Sequence, residues 1–163
     1  MTGVRGGGLA WSLVRRESTA HGTSEIWQAY AAKKVRSTRV EVDLAAEGHN
    51  VTVTVAGFSH ARPTVGTSAQ ASGTSSAPQV SLTPRAAGSV VWAVGHVAGS
   101  RYDPTPVSGQ KVVHDKTFKS PRTGSWTQRT RRTSEAGVDV TVEDKAEAGS
   151  WGYVAAEVQG TCR

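Results

Sequence analysis

Basic side chains are concentrated in one segment of this 163-residue chain, residues 111–132, and they offer its most specific chemistry. Seven basic residues lie there against one acidic residue, Asp115, whereas basic and acidic residues balance each other in the rest of the chain. A local excess of positive charge attracts phosphates, sulfates or an acidic surface. The predicted polyanion-binding residues are Lys111, Lys116, Lys119, Arg122, Arg129, Arg131 and Arg132.

Tryptophan is the second residue type with binding chemistry, since the chain has five Trp but only two Phe. Indole rings combine a large apolar face with a polar edge, which suits stacking on a sugar ring. Trp126 and Trp151 each follow a Gly-Ser pair that predicts a turn, and Tyr102 lies in a Pro- and Gly-containing loop. These three aromatics are the candidate ligand-binding residues. Packing in the core is the favoured alternative for both Trp residues, because large aromatics are mostly buried.

Catalytic and metal-binding signatures are missing from the sequence. There is no G-x-S-x-G motif. With 13 acidic residues, some pairs occur at a hydrolase-like spacing by chance, so such pairs do not indicate a hydrolase. Cys162 is the only cysteine, so neither an intrachain disulfide nor a cysteine-based metal site can form. Convergence of His96, Asp103 and His114 in the fold is the one metal arrangement left open. We therefore predict no cofactor, no metal and no enzymatic activity. A hydrolase ranks third among the functions considered, after a non-enzymatic binding or assembly module and a nucleic-acid- or polyanion-binding protein.

The elements that position these side chains are predicted to be β-strands. The chain contains 22 Val and 18 Thr but four Leu and one Ile, and β-branched residues fit a pleated sheet better than a helix. Apolar residues alternate with period two between turn-rich pieces such as residues 64–77. This pattern predicts a single all-β domain over residues 1–163, an antiparallel two-layer β-sandwich of jelly-roll-like form. The predicted strands are residues 9–13, 40–44, 51–55, 80–82, 90–97, 111–114, 125–130, 138–142 and 151–158.

One phase of these strands is predicted to form the core. A helix over residues 24–35 is the competing interpretation of SEIWQAYAAKKV, but a strand over residues 27–30 with Trp27 pointing inward is preferred. The predicted core residues are Trp11, Trp27, Val53, Val55, Trp92, Val94, Val140 and Val154.

Alternation also divides the basic segment between two faces of a strand. Trp126, Gln128 and Thr130 are predicted on one face, and Thr127, Arg129 and Arg131 on the other, which would meet water. A nucleic-acid reader needs aromatic rings on the same face as its basic groups, so that bases can stack there. The register therefore favours a solvated hairpin with weak attraction to polyanions over a specific nucleic-acid reader.

Four stretches of the sequence resemble a β-sandwich module that recurs in actinobacterial secreted proteins and in some actinobacteriophage virion proteins. They are GLAWSLVRR, GTSEIWQAYA, SSAPQVSLTPRAAGSVVWAVG and AGVDVTVED with WGYVAAEV, and they cover nearly the whole chain in order. The resemblance implies an extracellular or virion module, used for adhesion or assembly, that binds a protein or carbohydrate surface. The family has an acidic, aromatic loop after the WAVG strand, whereas this chain has HVAGSRYDPTPVSGQ there.

The N-terminal region departs from that family as well. Related modules have a further apolar strand before the first matching stretch, whereas only eight residues precede Leu9 here. The strand nearest residues 9–14 is therefore predicted to lie at a sheet edge without one of its partners, and such an edge promotes self-association. No signal-peptide-like stretch is present, and the most apolar run, residues 90–98, is too short to span a bilayer.

Overall fold

The fold consists of β-strands joined by loops. A computed structural model describes residues 1–36, 38–99, 105–119, 122–133, 135–145 and 148–160, and within them it contains eleven strands and no helix. The strands are β1 (Gly3–Gly6), β2 (Ser12–Thr19), β3 (Gly22–Gln28), β4 (Val40–Asp43), β5 (Ser68–Gly73), β6 (Gln79–Leu82), β7 (Val90–Ala98), β8 (Gln110–Lys119), β9 (Arg122–Thr130), β10 (Val140–Glu143) and β11 (Ser150–Val158).

Five strands form one antiparallel sheet in the order β5-β11-β7-β9-β8. The remaining strands form three two-stranded ribbons, β1-β4, β2-β3 and β6-β10. The predicted all-β, sandwich-like fold is therefore confirmed. The apolar strands β7 and β11 lie side by side within the sheet, where both of their faces can be buried.

Apolar clusters cover both faces of the five-stranded sheet, since successive side chains of a strand point to opposite faces. On the face that we call the first, side chains of β7, β9 and β11 pack with the β6-β10 ribbon; this cluster contains Val80, Leu82, Val91, Ala93, Val97, Trp126, Val142, Trp151, Tyr153 and Ala155. On the second face, Trp92, Val154 and Ala156 pack with Ile26 of the β2-β3 ribbon.

The predicted core is correct in part. Trp92 and Val154 are buried, whereas Trp11, Trp27, Val94 and Val140 are half-buried. The prediction was wrong for Val53 and Val55, which are 50% and 59% exposed.

The segment containing those two valines forms no strand among the described residues, and the phase of its alternation is reversed. Thr52 Oγ1 lies 2.9 Å from Ser125 Oγ, and Thr54 Oγ1 lies 3.2 Å from Thr127 Oγ1. The threonines therefore face β9, where their hydroxyls find hydrogen-bond partners, and the valines are turned away. Alternation by itself does not tell which side of a segment the fold will cover.

Two further expectations change in detail. A strand is present, as preferred over a helix, but it is β3, which ends at Gln28 and covers only the first half of the predicted strand 27–30. Ile26 is its inward residue, while Trp27 Nε1 donates a hydrogen bond to Glu25 Oε2 at 2.6 Å. The stretch 64–77, predicted to be turn-rich, contains strand β5. Its small residues allow a close approach, since a Cβ on Gly73 would lie 2.7 Å from the Trp151 ring.

Strand β2 pairs only with β3 among the described residues, so its other side is an edge, as predicted for this region. The residues before it contain the short strand β1, which pairs with β4 and not with β2. No helix that could cross a membrane occurs in the described ranges.

Candidate anion-binding face

The β8-β9 hairpin positions the basic segment at one edge of the five-stranded sheet. Residues directly opposite each other on antiparallel strands share a face. Arg129 is opposite both Lys111 and Trp92, so Lys111 and Arg129 lie on the second face. Lys116 is opposite Ser125, and His114 is opposite Thr127, which places both on the same face. We call the set Lys111, His114, Lys116 and Arg129 the basic face.

A β-bulge places the two lysines of this set, Lys111 and Lys116, on the same face of the strand. Strict alternation would place Lys111 and Lys116 on opposite faces, because five positions separate them. The ladder shifts register between Val112 and His114, so the strand contains one extra residue at Val113. A bulge of this kind re-aims the side chains that follow it. The sequence pattern contained no signal for this shift, and the shared face was therefore missed.

Positive charge on the basic face is not neutralised by neighbouring acidic groups. Lys111, His114 and Lys116 are exposed and Arg129 is half-buried. None of the four belongs to an ion pair with another described residue. The only acidic residue of the segment, Asp115, is opposite Trp126 and therefore lies on the first face. An anion at this face would not have to displace an internal salt bridge of the described residues.

The other predicted basic residues lie elsewhere. Lys119 and Arg122 are opposite each other on the first face, at the tip of the hairpin. Strand β9 ends at Thr130, one residue before Arg131, whose N–H donates a hydrogen bond to the carbonyl oxygen of Gly109 at 2.9 Å. Arg132 Nη1 donates a hydrogen bond to the carbonyl oxygen of Gly88 at 3.1 Å. Within the paired strands β8 and β9, three of the seven predicted basic residues, Lys111, Lys116 and Arg129, share one face.

The aromatic candidates are not exposed platforms. Trp126 and Trp151 are 1% and 5% exposed, and Trp126 packs edge-on against Tyr153 with ring centroids 5.3 Å apart. Both rings lie on the first face beneath the β6-β10 ribbon, so core packing, the favoured alternative, is observed, and the candidate role as exposed ligand-binding platforms is wrong. Tyr102 lies outside the described residues. Trp126 does lie on the opposite face from Arg129, as predicted.

The aromatic side chain that joins the basic face is Phe118. It is half-buried and opposite Thr123 on the second face. Beside it runs an apolar groove of about 1330 Å³, lined by the sheet, the segment 50–64, residues 19–31 and strand β4. Its lining includes Val53, Phe58 and Trp92, and the rings of Phe58 and Trp92 meet edge-on at 5.5 Å. The basic face therefore borders an apolar surface.

His96 serves a structural contact between the sheet and the β2-β3 ribbon. Its Nδ1 lies 2.9 Å from Ser24 Oγ, and its Nε2 lies 3.0 Å from Thr19 Oγ1. Burial lowers the pKa of His96 to about 4, although the Glu17 carboxylate opposes this shift. Ser24 is 2% exposed and also donates a hydrogen bond to the carbonyl oxygen of Gly152, so this Ser-His pair fastens the ribbon to the sheet.

The metal arrangement considered from the sequence does not form within the described ranges. They contain no group of three or more His, Cys, Asp or Glu residues placed to hold a metal ion. His96 is occupied by Ser24 and Thr19, while Asp103 lies outside the described residues.

Comparisons with protein-family models, curated proteins and solved structures found nothing that matches this chain. Functional inference therefore depends on the geometry of the chain itself.

Proposed function

We propose that this chain is a non-enzymatic binding or assembly module that holds an anionic partner on its basic face. One observation carries the proposal: the bulge at Val113 places Lys111 and Lys116 on the same face as Arg129, and no carboxylate of the described residues forms an ion pair with them. A surface with charge of one sign attracts the opposite charge over distances near the Debye length, about 8 Å at physiological salt.

The spacing of the cations favours a partner with repeated anionic groups. Lys111 and Lys116 are separated by roughly 15 Å along β8, at about 3.3 Å per residue of strand. Two anionic groups, one beside each lysine, match this separation better than a single phosphate, which both side chains would have to stretch to contact. Binding to exposed cations of this kind is weakened strongly by salt.

Where the module resides stays a prediction from the resemblance described above. An extracellular or virion setting, adhesion and carbohydrate binding all belong to that prediction. An acidic polysaccharide or an acidic protein surface would agree with the kind of partner that the resemblance implies and would complement the charge of the basic face.

The proposal is tested with a variant that neutralises the face without truncating its side chains, Lys111→Gln, Lys116→Gln and Arg129→Gln. A matched control removes the same charge from an exposed loop by Lys33→Gln, Lys34→Gln and Arg36→Gln.

The measurements are salt-dependent elution from heparin and the affinity for a short DNA duplex at several salt concentrations. We expect the basic-face variant to elute at lower salt than the control. The slope of log affinity for DNA against log salt should fall by roughly two to three, near one for each cation removed. Equal elution of the two variants would contradict the proposal.

A further inference from the structure

Strand β8 presents an open edge of the five-stranded sheet. It is the last strand in the order β5-β11-β7-β9-β8 and pairs only with β9 among the described residues. Its ten residues run from Gln110 to Lys119, and most of their side chains are exposed. The N–H and C=O groups on the free side of such a strand can pair with another extended chain.

Charge disfavours pairing of this edge with a second copy of the chain in the register centred on Asp115. In a symmetric antiparallel pair centred on Asp115, that residue would face its own copy on the first face, and Lys116 would face His114 on the second. Like charges directly opposite each other destabilise a pair of strands. Lysines and a bulge on an edge strand are also the features by which proteins avoid edge-to-edge aggregation. The same charges favour an acidic strand.

The opposite edge of the sheet lacks these features. Strand β5 has the sequence SAQASG, which contains no charged residue. Arg15 of β2 donates hydrogen bonds from Nη2 to Ser68 O and Oγ at 3.0 Å each. A β2 side chain therefore already contacts the backbone at the beginning of β5. Charge complementarity therefore distinguishes β8 from β5 as a place for a partner.

We propose that β8 accepts an extended acidic peptide, which adds to the sheet as a sixth strand. This inference rests on the proposed function and identifies its anionic partner as a polypeptide strand. Main-chain hydrogen bonds to β8 supply affinity, and alternate side chains supply specificity. Carboxylates of the peptide lie beside Lys111 and Lys116 on the second face, and its intervening β-branched residues lie beside Val112 and Thr117 on the first.

The test compares two synthetic ten-residue peptides with equal charge on the full chain. One alternates Glu with Thr and can form a strand, whereas the other alternates Glu with Pro, which removes half of the N–H groups and disfavours pairing. We expect the Glu-Thr peptide to bind at least tenfold more tightly. It should also slow hydrogen exchange of amides in residues 111–119.

Charge reversal at Lys116 supplies a second measurement. Lys116→Glu should weaken binding of the Glu-Thr peptide about fivefold more than Lys33→Glu, which changes the net charge equally at an exposed loop position. Equal binding of both peptides, with unchanged exchange in β8, would overturn the strand inference and leave the proposed function standing. Failure of heparin, DNA and both peptides to bind would overturn both. Dimerisation that protects the β8 amides would show that a second copy occupies the edge.

Discussion

Glu157 fastens the end of β11 through a buried carboxylate, and its replacement by Gln tests how much this contributes to stability. The residue is 2% exposed. Its Oε2 accepts hydrogen bonds from the N–H and hydroxyl of Thr67 at 3.0 and 2.9 Å. Its Oε1 accepts from the N–H groups of Arg85 and Ala86 at 2.9 and 3.1 Å and from the Ser89 hydroxyl at 2.7 Å. The carboxylate thus connects two loops to the sheet.

The pKa of Glu157 provides the magnitude. Burial by itself raises this pKa, because it removes water from the charged form, but the hydrogen bonds from Thr67, Ser89 and Arg85 outweigh it and lower the pKa from 4.5 to about 2. Since a tenfold change in proton affinity corresponds to about 1.4 kcal/mol, the ionised group contributes about 3 kcal/mol to the free energy of unfolding. A lowered pKa means that this contribution is complete above pH 4.5 and is lost as the pH falls toward 2.

The assay is urea unfolding followed by tryptophan fluorescence, at pH 7 and across the acid range. In Glu157→Gln, the new NH₂ group is itself a donor and would face the N–H and hydroxyl donors that surround the carboxylate. We therefore expect the free energy of unfolding to fall by about 3 kcal/mol at pH 7. The variant should also show a smaller fall in stability between pH 4.5 and 2. Glu135→Gln, at an exposed position, is the control. An equal unfolding midpoint for the two variants, or an unchanged acid dependence in Glu157→Gln, would refute the reasoning.

Three further predictions concern the β2-β3 ribbon, the packing of the sheet and its edges. The pKa of His96, lowered by burial to about 4 from 6.5, predicts that stability falls by up to about 3 kcal/mol as the pH drops from 6.5 to 4; urea unfolding of His96→Gln should lack this dependence. Gly95→Ala would place a Cβ 2.2 Å from the Trp126 ring, so thermal unfolding should reveal a loss of at least about 2 kcal/mol, whereas Gly57→Ala, with no atom near its Cβ, should be almost neutral. The edge near residues 9–14 predicts self-association at high protein concentration; sedimentation that finds only monomer would contradict it.

The strands of the central sheet could be predicted from local sequence. β7 and β11 are long runs rich in β-branched and aromatic residues, and their predicted bounds agree with the observed ones to within about one residue. The placement of Arg129 and Trp126 on opposite faces could also be predicted, because side chains alternate along any extended strand whatever its partner. Fold class and this separation of charge from the core were thus determined by the sequence alone.

Tertiary contacts decided which face of each strand is covered and where the register shifts. The reversed phase of Thr52 and Thr54 depends on hydroxyl partners in β9, more than 70 residues away along the chain. The bulge at Val113 exists only relative to the facing strand, and it alone places Lys111 on the same face as Lys116. Period two defines two faces but does not say which one another layer will bury, because burial depends on residues distant in sequence.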